Sequence, residues 1–301
     1  MKENLKKIIK FFKNPYVRFG YLSRLGFYNR MSDETYLKKE FKFVMGYDLN
    51  LDNPKSFNEK LQWLKLNDRK DIYTKMVDKY EAKKYVSDII GEEYIIPTIG
   101  IYDSFKEINL NELPNKFVMK CTHDSGGLVI CNDKSTLDWK AAKKKINKYL
   151  KRKYFYVHRE WPYKNVKPRI IIEKYMGDNI QDYKFFCFNG IPKLMFIATD
   201  RAKHETKFNF YDMNFNLLPF SQHYPNDKRK LKKPSTFNKM IDLSKLLSKN
   251  IPHVRVDFYE INGKIYFGEL TFSHFAGFIP FTPEEWDYKL GEMLDLSNIK
   301  E

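Results

Sequence analysis

At 301 residues the chain is too long for one small module and comfortable for one large domain or a few small ones. With 43% hydrophobic and 17% aromatic residues it carries ample core material, which excludes wholesale disorder. The net charge of +16 leaves nucleic acid, an anionic membrane and a phosphate-rich ligand open, but only ten of the 54 basic residues are Arg. A nucleic-acid reader uses Arg generously, so the surplus reads as solvated Lys and no nucleic-acid partner is expected.

Residues 1–30 form a basic, aromatic segment. Lys2, Lys6, Lys7, Lys10, Lys13, Arg18, Arg24 and Arg30 stand against Glu3 alone, interleaved with Ile8, Phe11, Phe12, Phe19 and Phe27. Such a segment either makes peripheral contact with the cytoplasmic face of an anionic membrane or packs on the body as a short helix and turn. Charges within residues 1–10 leave no secretory apolar run there, and no stretch approaches the roughly eighteen apolar residues of a membrane span. Cys121, Cys131 and Cys187 are too few for a disulfide framework and lack zinc-ligand spacing, so a cytoplasmic chain is expected.

Residues 31–110 read as a helical N-terminal region. Phe57, Leu61 and Leu64, then Ile72, Met76, Val77 and Tyr80, recur at helical spacing, with Ser56 and Asp71 as N-caps. After Pro97 short β-branched and aromatic runs take over, at 117–120, 128–130, 169–173, 183–188, 193–198, 208–211, 254–259 and 265–270. Asn189-Gly190 and Asn262-Gly263 sit between pairs of runs and signal hairpins. Helices are predicted at about 138–150, 237–249 and 283–294. Hairpins with segregated helices predict an α+β fold with mainly antiparallel sheets.

Three constellations carry chemistry. In Phe117-Val-Met-Lys120-Cys-Thr-His123-Asp-Ser125-Gly126-Gly127, a strand ends at a lysine and enters a glycine-containing loop. Adjacent glycines can turn backbone amides toward a polyphosphate, although an ordinary hairpin turn fits the same residues. In Arg255-Val-Asp257 and Glu269-Leu-Thr271, a three-residue loop over 262–264 would set Asp257 opposite Glu269 and Arg255 opposite Thr271. Facing carboxylates repel unless a cation or proton lies between them, and oxygen ligands so placed suit Mg²⁺. A two-residue turn would put them on opposite faces. In Glu173-Lys174-Tyr175-Met176-Gly, followed by Asp182 and Lys184, an apolar strand turns polar; it is either a nucleobase hinge or a buried strand leaving the core.

Together, and in this order, these runs resemble the ATP-grasp superfamily, specifically its TupA-like (teichuronopeptide-biosynthesis) branch. Asn58-Glu-Lys-Leu-Gln-Trp-Leu-Lys65, Asp78-Lys-Tyr80, Leu113 to Lys120, Arg159-Glu-Trp-Pro-Tyr163 and the run through Phe272 carry the likeness, which covers about 57–277. The resemblance implies ATP clasped between a small subdomain at 111–168, with its glycine-containing flap, and a large subdomain with the metal site at 169–301. It implies Lys120 on the phosphates beneath a flap of His123, Ser125, Gly126 and Gly127. Glu173 and the backbone of Lys174, Tyr175 and Met176 would hold adenine, and Asp182 the ribose. Asp257 and Glu269 would hold Mg²⁺, with Thr271 where many relatives have Asn and Ser273 as a substitute. Lys184, Arg201 and Arg255 would neutralise the γ-phosphate and the attacking carboxylate, and His123 or Asp124 would assist the amine.

The activity so implied is ATP-dependent carboxylate–amine ligation through an acyl phosphate, because a carboxylate is a poor electrophile until activated. The branch points to cell-surface polysaccharide or capsule assembly, with an anionic sugar or sugar nucleotide supplying the carboxylate and an amine as second substrate. Competing readings are a metal-dependent glycosyltransferase, a small-molecule kinase, and a non-catalytic basic binding protein.

Overall fold

A computed structural model describes residues 11–178, 180–200, 205–297 and 299. The N-terminal part is helical: α1 (Pro15–Arg24), α2 (Asp33–Met45), α3 (Phe57–Asn67), α4 (Ile72–Val77) and α5 (Glu81–Ile90). Ser32 accepts from the amide of Thr35, and Ser56 forms a capping box with Glu59. Asp71 makes no cap on α4, because its backbone is already helical and its carboxylate is not turned back to the free amides. Asp78 serves α5 instead, accepting from the amides of Tyr80 and Glu81.

β1 (Thr98–Tyr102), β2 (Phe117–Cys121), β3 (Leu128–Cys131) and β4 (Ile170–Lys174) form an antiparallel sheet in the order β1–β4–β2–β3. Phe117, Met119, Cys121, Ile170 and Ile172 alternate onto one face and bury against Ala142 and Ile146 of α6 (Trp139–Leu150). The other face presents Lys120 and Glu173. Sequence patterning passes over β1, whose residues are all exposed or half-buried and lack the alternation of a strand with one core face. It also divides the subdomains before residue 169, whereas β4 pairs with β1 and β2, so the smaller sheet runs on to Lys174. A short α7 (Phe155–His158) crosses before β4.

β5 (Gln181–Phe188), β6 (Ile191–Thr199), β7 (Lys207–Asp212), β9 (His253–Ile261) and β10 (Lys264–Thr271) form a second antiparallel sheet ordered β10–β9–β5–β6–β7. The two-residue β8 (Ser221–Gln222) pairs separately with β11 (Phe281–Thr282). Phe185, Cys187, Val254 and Val256 bury against Met240, Leu243 and Leu247 of α8 (Phe237–Ser248). On the opposite face Phe186, Phe188, Leu194 and Phe210 meet Phe57 and Leu61 of α3 and Leu290 of α9 (Glu285–Met293). That face is apolar at one end only. At the other it carries Asp182, Lys184, Arg255, Asp257 and Glu269.

The register of β9 and β10 differs from the simple expectation. Asn262 and Gly263 both have positive φ, 52° and 74°, and make a two-residue turn in which Ile261 pairs with Lys264. Alone, that turn would separate the two carboxylates onto opposite faces. A β-bulge at Gly268 inserts one unpaired residue, and beyond it Asp257 faces Glu269 and Arg255 faces Thr271. A Cβ at Gly268 would lie 3.1 Å from the Asp257 carbonyl oxygen and 3.2 Å from Tyr259 Cε2. Gly268→Ala is therefore expected to lower the unfolding free energy by about 1–3 kcal/mol in urea denaturation.

Asp287 of α9 ties that helix to α3 by accepting from the backbone and side-chain amides of Asn58, both at 2.9 Å. Burial raises its carboxyl from 3.8 to about 6. With the folded value above the unfolded one, its stabilisation is full below the unfolded value and lost as pH rises through the folded one. Relative to Asp287→Asn, the wild-type chain should lose on the order of 3 kcal/mol between about pH 4 and 7, read by denaturation at each pH.

Candidate active site

The two sheets enclose a cleft of about 890 Å³, lined by Lys79, Lys83, Lys120, Lys184 and Arg255 and by Glu173, Glu269 and Thr271. Arg255 is its centre. The guanidinium is buried and holds Asp257 in a two-point bond, Nε to Oδ1 and Nη2 to Oδ2, both at 2.7 Å. Nη2 also donates to Glu269 Oε1 at 2.9 Å and Thr271 Oγ1 at 3.0 Å. Because a guanidinium only donates, His274 Nδ1 accepts from Nη1 at 2.8 Å, and its Nε2–H donates to Gln222 Oε1 at 2.9 Å. Burial and the charge of Arg255 hold that imidazole neutral, well below the usual histidine range.

Lys184 pairs with both Asp257 and Asp182. Asp257 and Asp182 are almost wholly buried, so they stand one layer beneath the cleft surface. Glu269, at 46% exposure, meets the cleft directly. Enclosure pushes its carboxyl up, but the charges of Lys184, Arg255 and Lys79 prevail and hold it at about 2.

The opposite wall is built from β2, β4 and α5. Glu173 is gripped between Lys83 at 2.5 Å and Lys120 at 2.6 Å. Burial opposes its ionisation, and the two ammonium groups overcome that to keep its carboxyl below the usual range. Lys79 donates to the Asp124 carbonyl at 2.6 Å, and Arg152 to that of Ser125 at 3.2 Å, fixing the loop after β2 over the cleft. Gly126 has φ 113°, a conformation that favours glycine. A Cβ on Gly127 would meet Cys121 Sγ at 2.7 Å.

Of the residues singled out from sequence, Lys120, Asp124, Ser125, Gly126, Gly127, Glu173, Lys184, Arg255, Glu269, Thr271 and Ser273 converge on this one cleft. Others do not line it. His123 is buried, with Nε2 on the Arg152 carbonyl at 3.0 Å, because the flap turns it inward. Lys174 gives its amide to the Pro97 carbonyl as β4 pairs past the cleft edge, and Tyr175 bonds Asp178, so the stretch through Met176 lies off the lining. Arg201 falls outside the described residues. Lys79, Lys83, Ile95 and Ile96 were not foreseen. The available signal was the quoted Asp78-Lys79-Tyr80, which carries Lys79.

A model of the TupA-like ATP-grasp family matches residues 59–295. The chain belongs to the TupA-like ATP-grasp family. It is thereby an ATP-grasp protein, with the α+β fold expected from sequence. Remote structural likenesses are found too. D-alanine–D-alanine ligase from Bacillus anthracis, complexed with ATP, is 16% identical over 65% of this chain and 53% of that one, at a TM-score of 0.37. The corresponding enzyme from Helicobacter pylori is 14% identical over 80% and 70%, at 0.42. The ADP complex of PurK, N5-carboxyaminoimidazole ribonucleotide synthetase, is 14% identical over 71% and 50%, at 0.40. This chain thus spans about half of the first and third of these proteins. No curated protein matches it.

ATP-grasp membership raises the question of a divalent cation. Among the described residues no group of three or more His, Cys, Asp or Glu side chains is arranged to hold a metal. The donors at the Arg255 centre are all oxygens, from Glu269 and Thr271 at the surface and Asp257 beneath. That set fits a hard cation such as Mg²⁺, which takes one or two carboxylates and completes its shell with phosphate and water.

Removing Arg255 leaves Asp257 buried with only Lys184. Arg255→Leu should therefore cost about 3–5 kcal/mol in unfolding free energy, and the double change Arg255→Leu with Asp257→Leu distinctly less, by chemical denaturation.

Proposed function

We propose that this TupA-like ATP-grasp enzyme joins a carboxylate to an amine at the expense of ATP, through an acyl phosphate. The observation that carries the reading is the convergence of five cationic side chains with Glu173 and Glu269 on one cleft between two sheets. ATP is taken between the 111–174 and 181–301 segments. Its adenine lies against Ile95, Ile96 and Phe267 beside Glu173, which serves to aim Lys83 and Lys120 at the phosphates. Asp182 acts on the nucleotide through Lys184. Glu269 and Thr271, with Asp257 behind them, would hold Mg²⁺, which would supply charge neutralisation at the transferred phosphoryl group. Lys184 and Arg255, with Arg201, balance the charge as the substrate carboxylate approaches, while the 123–127 loop covers the phosphates.

The carboxylate substrate is an anionic sugar such as a uronic acid or its sugar nucleotide, and the product belongs to cell-surface polysaccharide assembly. Family membership and the cationic wall support that reading. No helix among the described residues is long and apolar enough to cross a membrane. A cytoplasmic enzyme touching the membrane peripherally is supported by Phe12, Leu25 and Phe27, exposed beside Arg18 and Arg24.

The test is ADP release from Mg·ATP across a panel of uronates and amines. Carboxylate-dependent release is expected, and Lys120→Met should raise the ATP Kd about tenfold or more. No carboxylate-dependent release, together with wild-type ATP affinity in Asp257→Asn, would falsify the assignment.

A further inference from the structure

The run Arg159-Glu-Trp-Pro-Tyr163 has no part in the chemistry above. In the structure it closes another side of the same cleft. Arg159 takes a left-handed backbone (φ 53°) that ends α7. Its guanidinium is buried, donates to the Tyr28 carbonyl at 2.6 Å and lies 4.5 Å over the Tyr36 ring. That anchor in the N-terminal helices sets the next residue, Glu160, in the cleft wall with Glu40, Tyr154, His158 and Tyr163.

Glu160 is only 6% exposed, yet no hydrogen bond or ion pair engages its carboxylate among the described residues. Lys65 acts on it through space, but that ammonium is committed to Gln62 Oε1 at 2.8 Å and to the carbonyls of His158 and Ala276 at 3.0 and 2.7 Å. Glu40 bonds His158 Nδ1 at 2.9 Å through Oε1, while its buried Oε2 has no hydrogen-bond partner. A sequestered carboxylate without a partner is costly unless a ligand completes it, and the cavity beside it leaves room for one. Glu269 acts electrostatically on Glu160, and Arg255 on Tyr163, so this acidic end adjoins the Arg255 centre. The cleft is thus bipolar, with lysines on the phosphate side and carboxylates on the other.

We infer that Glu160 marks the acceptor subsite, where a primary ammonium binds and gives up the proton it must lose before attack; this rests on the ligase reading. The ammonium passes one proton to Glu160, and the freed nitrogen pair forms the C–N bond at the acyl phosphate carbonyl. The C–O bond to phosphate then breaks, phosphate leaving with its electron pair and the second nitrogen proton. Burial raises the Glu160 carboxyl above its ordinary value against the pull of Lys65 and His158, in the direction a base requires.

The test uses ethylammonium, D-glucosamine and L-alaninamide, each beside its uncharged N-acetyl form, titrated into the full chain by ligand-observed NMR without nucleotide. At least one amine should bind where its N-acetyl form does not, and Glu160→Gln should weaken it about tenfold. Glu40→Gln should give a smaller loss. The thermal midpoint of Glu160→Gln should match or exceed wild type, since an unpartnered buried charge is removed. Failure of every amine to bind, equal binding to Glu160→Gln, or a lowered midpoint that marks Glu160 as a structural partner of Lys65 overturns the inference. ATP titrated separately into the wild-type chain reports on the ligase reading, so the two can fail independently.

Discussion

A guanidinium buried inside a sheet demands an acceptor for every donor, and in this protein that demand falls on Arg255. Its bonds reach Asp257 on the same strand, Glu269 and Thr271 on the neighbouring strand, and His274 beyond it. The last is possible because Phe275 and Ala276 take left-handed backbone (φ 47° and 54°), returning the chain over the sheet end. Gln222 of β8 then fixes the His274 ring, so three separate stretches of sequence join one network. Desolvating so many charges is repaid only when the network is complete, which makes the polar end of the sheet rigid as well as reactive.

Charge sorting follows from the same constraint. Carboxylates that lie beneath the surface, Asp182 and Asp257, neutralise the cations above them and leave those cations facing the cleft. Opposite them, Glu173 does the same for Lys83 and Lys120. On the phosphate side the cleft therefore shows a ligand its basic groups, already positioned, while Asp182, Asp257 and Glu173 do the positioning. The surplus of +16 has little to do with this: the site draws on five cations among 54 basic residues.

Much of this was legible in the sequence, for identifiable reasons. Period-two alternation and the two Asn-Gly turns gave the hairpins, and helical spacing behind Ser56 gave α3. Local patterning does not encode which distant segments share a cavity. That is why Lys79, in the turn before α5, and Lys83, on α5, are not legible in the sequence, and why Glu160 looks like part of an unexplained run. Depth was misread as well. Asp182, Asp257 and His123 have residue types that chemistry favours, but the sheet and the flap turn them under the surface. The Asp257–Glu269 pairing came out as expected although the turn was shorter than supposed, because Gly268 made up the missing residue.

That compensation has a mechanical meaning. The bulge stands between the hairpin tip and the carboxylate pair, like a vernier between a coarse and a fine scale. Residues 258–267 keep the register of the turn, and only the three residues after Gly268 keep that of the site. The tip at Asn262-Gly263 is therefore uncoupled from the chemistry at the strand's other end. It is the natural place to graft a tag or an epitope without disturbing the alignment of the reacting groups.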